Sequence, residues 1–121
     1  MTSPTQLTKK ECARRGWIVS VAEYWNSFSK RRVDLFGFVD IVALTGQAIV
    51  GIQTTSRGNA SSRRHKIDDL EAATAWRQSG GVIEVWGWAK RPTLDKEGKK
   101  TKRLTWQLAV WRREDGEWTR L

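Results

Sequence analysis

Two apolar segments separated by a short turn constrain the fold of this chain more than any other feature. Residues 39–44 and 48–55 flank a turn at residues 45–47, and their length and composition favour two antiparallel strands. Each segment carries one polar side chain, Asp40 or Gln53, that a purely structural hairpin does not need. Because a short turn joins the strands, these two residues should lie nearly level on neighbouring strands. The sequence therefore predicts that a carboxylate and an amide meet at one place in the sheet.

Apolar periodicity and helix-breaking residues predict the remaining elements. Helices are predicted at residues 4–15 and 60–78. Strands are predicted at residues 17–22, 35–44, 48–55, 82–89 and 104–112, with loops at 26–32 and 90–103. The order is αβββαβ with one added terminal strand, which predicts an α/β fold with a mixed sheet flanked by helices. A chain of 121 residues is long enough for one core, so we expect residues 1–121 to form a single domain.

The charge balance favours a polyanion as the partner of this chain. There are 22 Lys and Arg against 13 Asp and Glu, a formal charge of +9, and phosphate backbones are common partners of small basic domains. Residues 53–67 contain basic side chains and no acid, and they directly follow the pair of predicted strands that carries Asp40 and Gln53. The side chains predicted to contact nucleic acid are Lys30, Arg31, Arg32, Arg57, Arg63 and Arg64. A basic protein with no nucleic-acid partner would have the same composition.

The counts of cysteine and histidine exclude several classes of site. Cys12 is the only cysteine, so a disulfide framework and a cysteine zinc site are excluded, and a reducing cytoplasm is the expected location. With His65 as the only histidine, a Ser-His catalytic pair is not expected. The sequence has no apolar run typical of a transmembrane segment or a secretory signal, so we expect no membrane partner. Any chemistry must use carboxylates, amides and lysines.

A set of spaced residues resembles the PD-(D/E)xK nuclease superfamily. The set comprises Glu11 in the first helix, Gly16-Trp17 before the first strand, Asp40 in the second strand and Gln53-Thr54-Thr55 ending the third. Over residues 7–75 the chain is most similar to the branch of archaeal Holliday-junction resolvases and small phage nucleases. The resemblance implies a restriction-endonuclease-like αβββαβ core and hydrolysis of DNA, including branched DNA, that depends on Mg²⁺ or Mn²⁺. The chain departs from the family pattern at Gln53, where the family has an acid, and at Thr55, where it has a lysine.

The resemblance also implies a role for each residue of the site. Asp40 and Gln53, with the backbone carbonyl of Thr54, would hold the metal ion, and Glu11 would help to hold metal or water. Because the family's lysine is missing, the cation beside the phosphate must come from the second helix, where Lys66 is the first choice. Each of these residues also has an ordinary structural interpretation, as a strand end, a capping group or a solvated helix start.

Further candidates lie near this set. Asp34 precedes Asp40 by six residues, and it would share a face with Asp40 if the strand ran unbroken. It could hold the basic loop or a second metal ion. The alternatives to the assisting glutamate and to the lysine are Glu23, Arg63 and Arg57.

Eight tryptophans are an unusual number for a chain of this length. Core packing explains most of them, while Trp25 and Trp111 are candidates for base stacking or partner contacts. A two-fold homodimer through the tryptophan-rich last strands would be needed to cut paired strands of a junction. Two other functions remain open: a catalytically inactive nuclease-fold module that binds DNA, and an interaction or inhibitor protein of mobile-element origin.

Overall fold

The first helix forms where the sequence predicts it. In the computed structural model, which describes residues 2–121, helix α1 spans Pro4–Arg14. The Ser3 hydroxyl accepts a hydrogen bond from the Gln6 N–H, and the Gln6 side chain accepts one from the Ser3 N–H. This capping box satisfies two N–H groups at the start of the helix. The chain leaves α1 through Gly16, whose φ of +80° favours glycine.

Eight strands, two further helices and a 3₁₀ turn complete the described chain. The strands are β1 (Ile18–Val21), β2 (Tyr24–Asn26), β3 (Arg31–Val33), β4 (Ile41–Leu44), β5 (Ile49–Ser56), β6 (Val82–Leu94), β7 (Lys100–Glu114) and β8 (Glu117–Arg120). The 3₁₀ turn is Arg57–Asn59, and the helices are α2 (Ala60–Asp68) and α3 (Glu71–Gln78).

Six of the strands form one mixed sheet in the order β1-β4-β5-β6-β7-β8. In this sheet β5 and β6 are parallel, and α2 and α3 make the crossover that parallel neighbours require. Strands β2 and β3 pair separately as a hairpin. The protein is therefore a mixed α/β fold with helices on both faces of its main sheet, as the sequence predicted. Within residues 2–121, no helix combines the length and the apolar character needed to cross a membrane.

The main sheet has an apolar core on each face. The first face is covered by α1, and its core includes Leu7, Cys12, Ile41, Ile52, Trp86 and Trp88. The second face is covered by α2 and α3, and its core includes Phe38, Val39, Ile67, Ala73, Ile83 and Val85. Side chains alternate between faces along a strand, so even-numbered residues of β5, β6 and β7 point to the first face. Odd-numbered residues of these strands point to the second face.

The segment before β4 differs from the prediction. A strand was predicted over residues 35–44, but β4 begins only at Ile41. Phe36 and Gly37 have φ values of 55° and 84°, which no continuous strand allows, and residues 35–39 form a turn. The apolar character of this segment suggested a strand, although a glycine within such a segment also marks a turn.

Other predicted elements were wrong in part. The loop predicted at residues 26–32 contains the turn and part of the strands of the β2–β3 hairpin. The helix predicted at residues 60–78 is divided into α2 and α3 at Asp69 and Leu70. The loop predicted at residues 90–103 is paired strand for most of its length, and β8 was not predicted at all.

Candidate functional site

Asp40 and Gln53 lie opposite each other at one end of the β4–β5 pair. Ile41 pairs with Ile52, so the residue beyond each of them faces the other strand. Asp40 Oδ2 accepts hydrogen bonds from Gln53 Nε2 at 2.7 Å and from the Thr54 N–H at 2.9 Å. Both side chains are buried, since 5% of Asp40 and 1% of Gln53 is exposed. The carboxylate and the amide therefore meet where the sequence places them.

Asp34 reaches the same place by a different route from the predicted one. The sequence argument required an unbroken strand from Asp34 to Asp40, but the chain turns between them at Gly37. The Gly37 N–H donates a hydrogen bond to the Asp34 carbonyl at 3.0 Å. This turn returns the Asp34 side chain to the sheet, where its Oδ2 accepts a hydrogen bond from Gln53 Nε2 at 3.2 Å. One amide group thus contacts two carboxylates.

Glu23, between β1 and β2, adds a third carboxylate. One oxygen each from Glu23, Asp34 and Asp40 lies within 4.8 Å of the other two. The neighbouring Ala22 N–H donates to the Asp40 carbonyl at 2.7 Å, which fixes this segment beside the start of β4. We call the resulting group the acidic cluster, and its members are Glu23, Asp34, Asp40 and Gln53.

Asp34 and Asp40 titrate as a pair. Burial, with the hydrogen bond to Asp34, raises the pKa of Asp40 to about 8. Burial is the largest single influence on Asp34 and opposes its ionisation, but the hydrogen bonds to Asp40 and Gln53 favour it. The positive charges of Lys66 and Arg63 act in the same direction, so the pKa of Asp34 is lowered. At neutral pH the pair holds one proton, on Asp40, as closely spaced carboxylates do.

The side-chain oxygen of Gln53 is the unsatisfied atom of the acidic cluster. Oε1 is buried and accepts no hydrogen bond from residues 2–121, and such an atom typically costs about 1–3 kcal/mol. Rotation of the amide group by 180° would point Oε1 at the carboxylates, in place of the Nε2 that now donates hydrogen bonds to Asp34 and Asp40. An amide oxygen in that position is a ligand for a hard cation.

The acidic cluster offers the ligands that Mg²⁺ and Mn²⁺ prefer, which are carboxylate and amide oxygens. One oxygen from each of the three carboxylates lies within 4.8 Å of the other two. Buried carboxylates also need a cation or a proton to balance their charge. The acidic cluster therefore has the type of oxygen ligand that a divalent ion requires.

Glu11 and the Thr54 side chain lie on the first face, outside the acidic cluster. Glu11 accepts hydrogen bonds from Arg14 and Arg15 at 2.6–2.9 Å. The bonds from Arg14 outweigh burial and, with those from Arg15, lower the pKa of Glu11 to about 2. The Thr54 hydroxyl lies 2.8 Å from the Thr8 hydroxyl of α1. Of these residues, Thr54 reaches the acidic cluster, through its backbone N–H.

The basic residues predicted to bind nucleic acid occupy two places. One group belongs to the exposed β2–β3 hairpin and comprises Lys30, Arg31 and Arg32. The other belongs to the 3₁₀ turn and α2 and comprises Arg57, Arg63, Arg64 and Lys66. The charges of Arg63 and Lys66 act on Asp34, so these two residues lie on the side of α2 near the acidic cluster.

Trp25 and Trp111 differ in their accessibility. Trp25 is 62% exposed on β2. Trp111 is half-buried, and the guanidinium carbons of Arg64 and Arg120 lie 4.3 and 5.1 Å from its ring centroid. Cations of its own chain therefore already contact the Trp111 ring, and Trp25 is the better candidate for base stacking.

Sequence reasoning located Asp40 and Gln53 together but treated Asp34 and Glu23 as secondary. The signal for Asp34 was the glycine between the two aspartates, because Gly37 allows the turn that brings them together. Glu23 carried no comparable signal, since its position depends on the β2–β3 hairpin. Comparison of the chain with protein-family models, with characterised proteins and with solved structures finds no significant match.

Proposed function

We propose that this protein is a divalent-metal-dependent DNA endonuclease. The observation that carries the proposal is the acidic cluster, in which three carboxylates and a buried amide converge in a chain with a formal charge of +9. Carboxylates repel one another, and a bound cation relieves that repulsion. A divalent ion would stabilise the negative charge that develops on phosphate and lower the pKa of the attacking water.

The residues of the acidic cluster would have two roles, as metal ligands and as a base for the attacking water. Asp40 and Asp34 would be the charged ligands, because both contact the Gln53 amide. Gln53 Oε1 and the Thr54 carbonyl would complete the protein's ligands. The remaining carboxylate, the half-buried Glu23, would orient the attacking water and accept its proton.

The metal-free arrangement supports this assignment. The hydrogen bonds from Gln53 Nε2 and the proton on Asp40 stabilise the carboxylates without a metal ion. Entry of a divalent ion would release the proton from Asp40 and turn the Gln53 amide, so that contacts with the ion replace the hydrogen bonds that Nε2 makes to Asp34 and Asp40. We therefore expect metal binding near pH 7 to release about one proton.

Lys66, with Arg63, would contact the scissile phosphate. Thr55 stands where the family pattern has a lysine, and it is neutral and only 6% exposed. Lys66 is exposed on α2, and its charge acts on Asp34. Its ammonium group is therefore suited to meet a phosphate held beside the acidic cluster.

The order of elements supports a PD-(D/E)xK type of core. Without the β2–β3 hairpin, the order α1, β1, β4, β5, α2 with α3, and β6 is αβββαβ, and β7 and β8 extend the sheet. On this proposal branched DNA is the first substrate to test, and cleavage of paired strands would need a two-fold homodimer.

One observation favours a second function, a nuclease-fold module that binds DNA without cutting it. The Gln53 amide donates hydrogen bonds to both Asp34 and Asp40, so it occupies the place of a metal ion between them. Loss of the family's acid at this position would then mark the loss of catalysis.

Cleavage assays separate the two functions. Duplex, flap and four-way-junction DNA should be cut in Mg²⁺ or Mn²⁺ by the wild type but not by Asp40→Asn. Asp69→Asn makes the same change of charge at an exposed position and serves as the matched control. DNA binding without cleavage by the wild type, in either ion, would replace the endonuclease with the binding module.

The role of Lys66 is tested in the same assay. Lys66→Ala should reduce cleavage at least about 100-fold by removing a charge from the transition state. Lys10→Ala, an exposed lysine on α1, should leave cleavage unchanged. If the two variants cut equally well, the phosphate contact belongs to another residue.

A further inference from the structure

Strands β6 and β7 continue well beyond the main sheet. β6 has no pairing with β5 after Trp88, and β7 pairs with β8 only from Trp111 onward. Residues 89–107 thus form a two-stranded ribbon with both edges free in the described chain. At 3.3 Å per residue, the part of β6 beyond Trp88 extends roughly 20 Å from the sheet.

The ribbon has a defined tip. The Asp95 side chain accepts hydrogen bonds from the N–H groups of Glu97 and Lys99 at 2.9 Å. The hydroxyl groups of Thr93 and Thr101 bond to each other across the two strands. Two-stranded ribbons are only marginally stable alone, so these contacts help the ribbon to keep its extended form.

The two faces of the ribbon differ in chemistry. The face continuous with the first face of the sheet mixes apolar and basic side chains: Pro92, Leu94, Leu104 and Trp106 with Lys90 and Lys100. The face continuous with the second face has no large apolar side chain among the paired residues of the ribbon and includes Arg91 and Thr105, while Arg103 lies where the register shifts between Pro92 and Leu94. Over residues 90–103 as a whole there are seven Lys and Arg against two acids. We call the polar side the basic face of the ribbon.

The basic face continues onto the body of the protein through Arg57 and Arg120. Arg57 Nη2 donates a hydrogen bond to the Gln107 carbonyl at the base of the ribbon, at 3.2 Å. Burial, with the charges of Arg120 and Arg91, lowers the pKa of Arg57. Arg120 and Arg91 therefore each lie close enough to repel Arg57, and a bound anion would relieve this repulsion.

We propose that the basic face of the ribbon is a second contact surface for double-stranded DNA and lies in the major groove. This inference rests on the proposed function for the choice of DNA as partner. The major groove is about 12 Å wide and admits a two-stranded ribbon, and its phosphate walls complement guanidinium groups. Gln53 of the acidic cluster and Arg91 of the ribbon both point to the second face, so the two surfaces lie on the same side of the sheet.

Binding measurements without divalent ions test the proposal apart from cleavage. In EDTA, Arg91→Gln/Arg103→Gln should bind a labelled duplex at least about tenfold more weakly than wild type in 0.1 M salt. The slope of log affinity against log salt should become shallower by roughly 1.8, or 0.9 for each lost phosphate contact. The matched control Lys9→Gln/Lys10→Gln removes the same charge from exposed positions on α1 and should keep the wild-type slope.

Equal losses in the two double variants would overturn the proposal, because the attraction would then depend on net charge alone. So would a wild-type protein that binds no duplex DNA in low salt. Far-UV circular dichroism must show that both variants fold. Binding of the same variants to an RNA duplex gives a second test. The major groove of RNA is too narrow for a ribbon, so an equal effect on RNA would exclude major-groove contact.

The length of the bound duplex gives an independent test. Replacing residues 91–105 with Asn-Gly would close the ribbon with a two-residue turn at the paired residues Lys90 and Trp106. This shortened protein should reach its full affinity on duplexes roughly five base pairs shorter than wild type requires. An unchanged length requirement would show that the ribbon does not lie along the DNA.

The two proposals fail separately. If the ribbon variants weaken binding but the wild type cuts nothing in Mn²⁺, the DNA-binding surface stands and the endonuclease does not. If the wild type cuts DNA and both double variants bind it equally well, the endonuclease stands and the ribbon is not a DNA-binding surface.

Discussion

Two buried carboxylates beside the sheet, Glu84 and Asp40, have different partners. Glu84 is 1% exposed, and Arg112 donates two hydrogen bonds to its Oε2 at 2.9 and 2.7 Å. The Trp86 indole N–H donates to its Oε1 at 2.8 Å. Asp40 is nearly as buried, but the donors that reach it are a neutral amide and a backbone N–H. Its nearest charged neighbours are the carboxylates of the acidic cluster.

The difference separates a structural carboxylate from a functional one. The chain itself supplies the cation that Glu84 needs, so this group can help to hold β6 to β7. Asp40 must take a proton or a cation from solution. A buried acid that the fold does not neutralise is a candidate for chemistry, whereas one that the fold neutralises is part of the structure.

The largest effect should come from breaking the Glu84 pair. Arg112→Met would leave a buried carboxylate without its cation, and we expect a loss of about 3 kcal/mol in the free energy of unfolding, measured with urea. Arg77→Met, at an exposed position on α3, should change it by less than about 0.5 kcal/mol. Equal stability of the two variants would mean that the Glu84 pair is not structural.

Gln53→Glu should increase the negative charge that the fold leaves unpaired in the acidic cluster, whereas the charge of Glu84 is paired with Arg112. Without divalent ions, a further buried acid beside Asp34 and Asp40 should cost roughly 2 kcal/mol. Saturating Mn²⁺ should restore the melting temperature, because the variant has an additional charged ligand. The thermal shift caused by Mn²⁺ should therefore exceed that of wild type, and cleavage at low Mg²⁺ should be kept or increased. A variant that is stable without metal and unaffected by it would contradict the metal site.

Asp40→Asn should stabilise the metal-free protein at alkaline pH. The raised pKa means that native Asp40 keeps a proton that the unfolded chain releases above about pH 4. Stability should therefore fall between about pH 4 and pH 8, and the substitution should remove this slope, with its largest gain in stability at pH 8. The lowered pKa of Asp34 acts below pH 4, outside this range.

The same titration needs a control for the general effect of charge. Asp69→Asn removes one negative charge at an exposed position and should keep the wild-type slope between pH 4 and pH 8. A flat wild-type profile over this range would show that Asp40 is ionised without a metal ion.

The smallest effect is expected at Glu11, whose partners are exposed. Its lowered pKa gives stability that is present above about pH 4.5 and is lost as the pH falls toward 2. Exposed ion pairs contribute little, so Glu11→Gln should cost less than about 1 kcal/mol at pH 7. The Mn²⁺ affinity of this variant, measured by calorimetry, should equal that of wild type. A clear loss of affinity would show that Glu11 is a metal ligand.

The sequence predicted the parts of the fold that depend on local signals. Ser3 and Gly16 mark the ends of α1, and the short turn between β4 and β5 sets the register that brings Asp40 to Gln53. Register follows from the turn length because side chains alternate along a strand. The face of the sheet for the paired polar residues was therefore predictable without a structure.

The rest depended on contacts between distant residues. The break between α2 and α3 occurs without glycine or proline, so no local signal marked it. The lysines of residues 90–103 disfavour a strand by propensity, and pairing of β6 with β7 overrides that preference. The turn before β8 did carry a signal, because Asp115 and Gly116 both have positive φ and Asp-Gly favours such a hairpin.

The hydrogen bond from the Thr54 N–H to Asp40 has a spectroscopic consequence. The NMR shift of that amide proton depends on whether its acceptor is protonated, ionised or shared with a cation. The indole proton of Trp86 reports on Glu84 in the same way, because it bonds to that carboxylate directly. One Mg²⁺ titration of ¹⁵N-labelled protein would therefore move the Thr54 signal and leave the Trp86 indole signal in place.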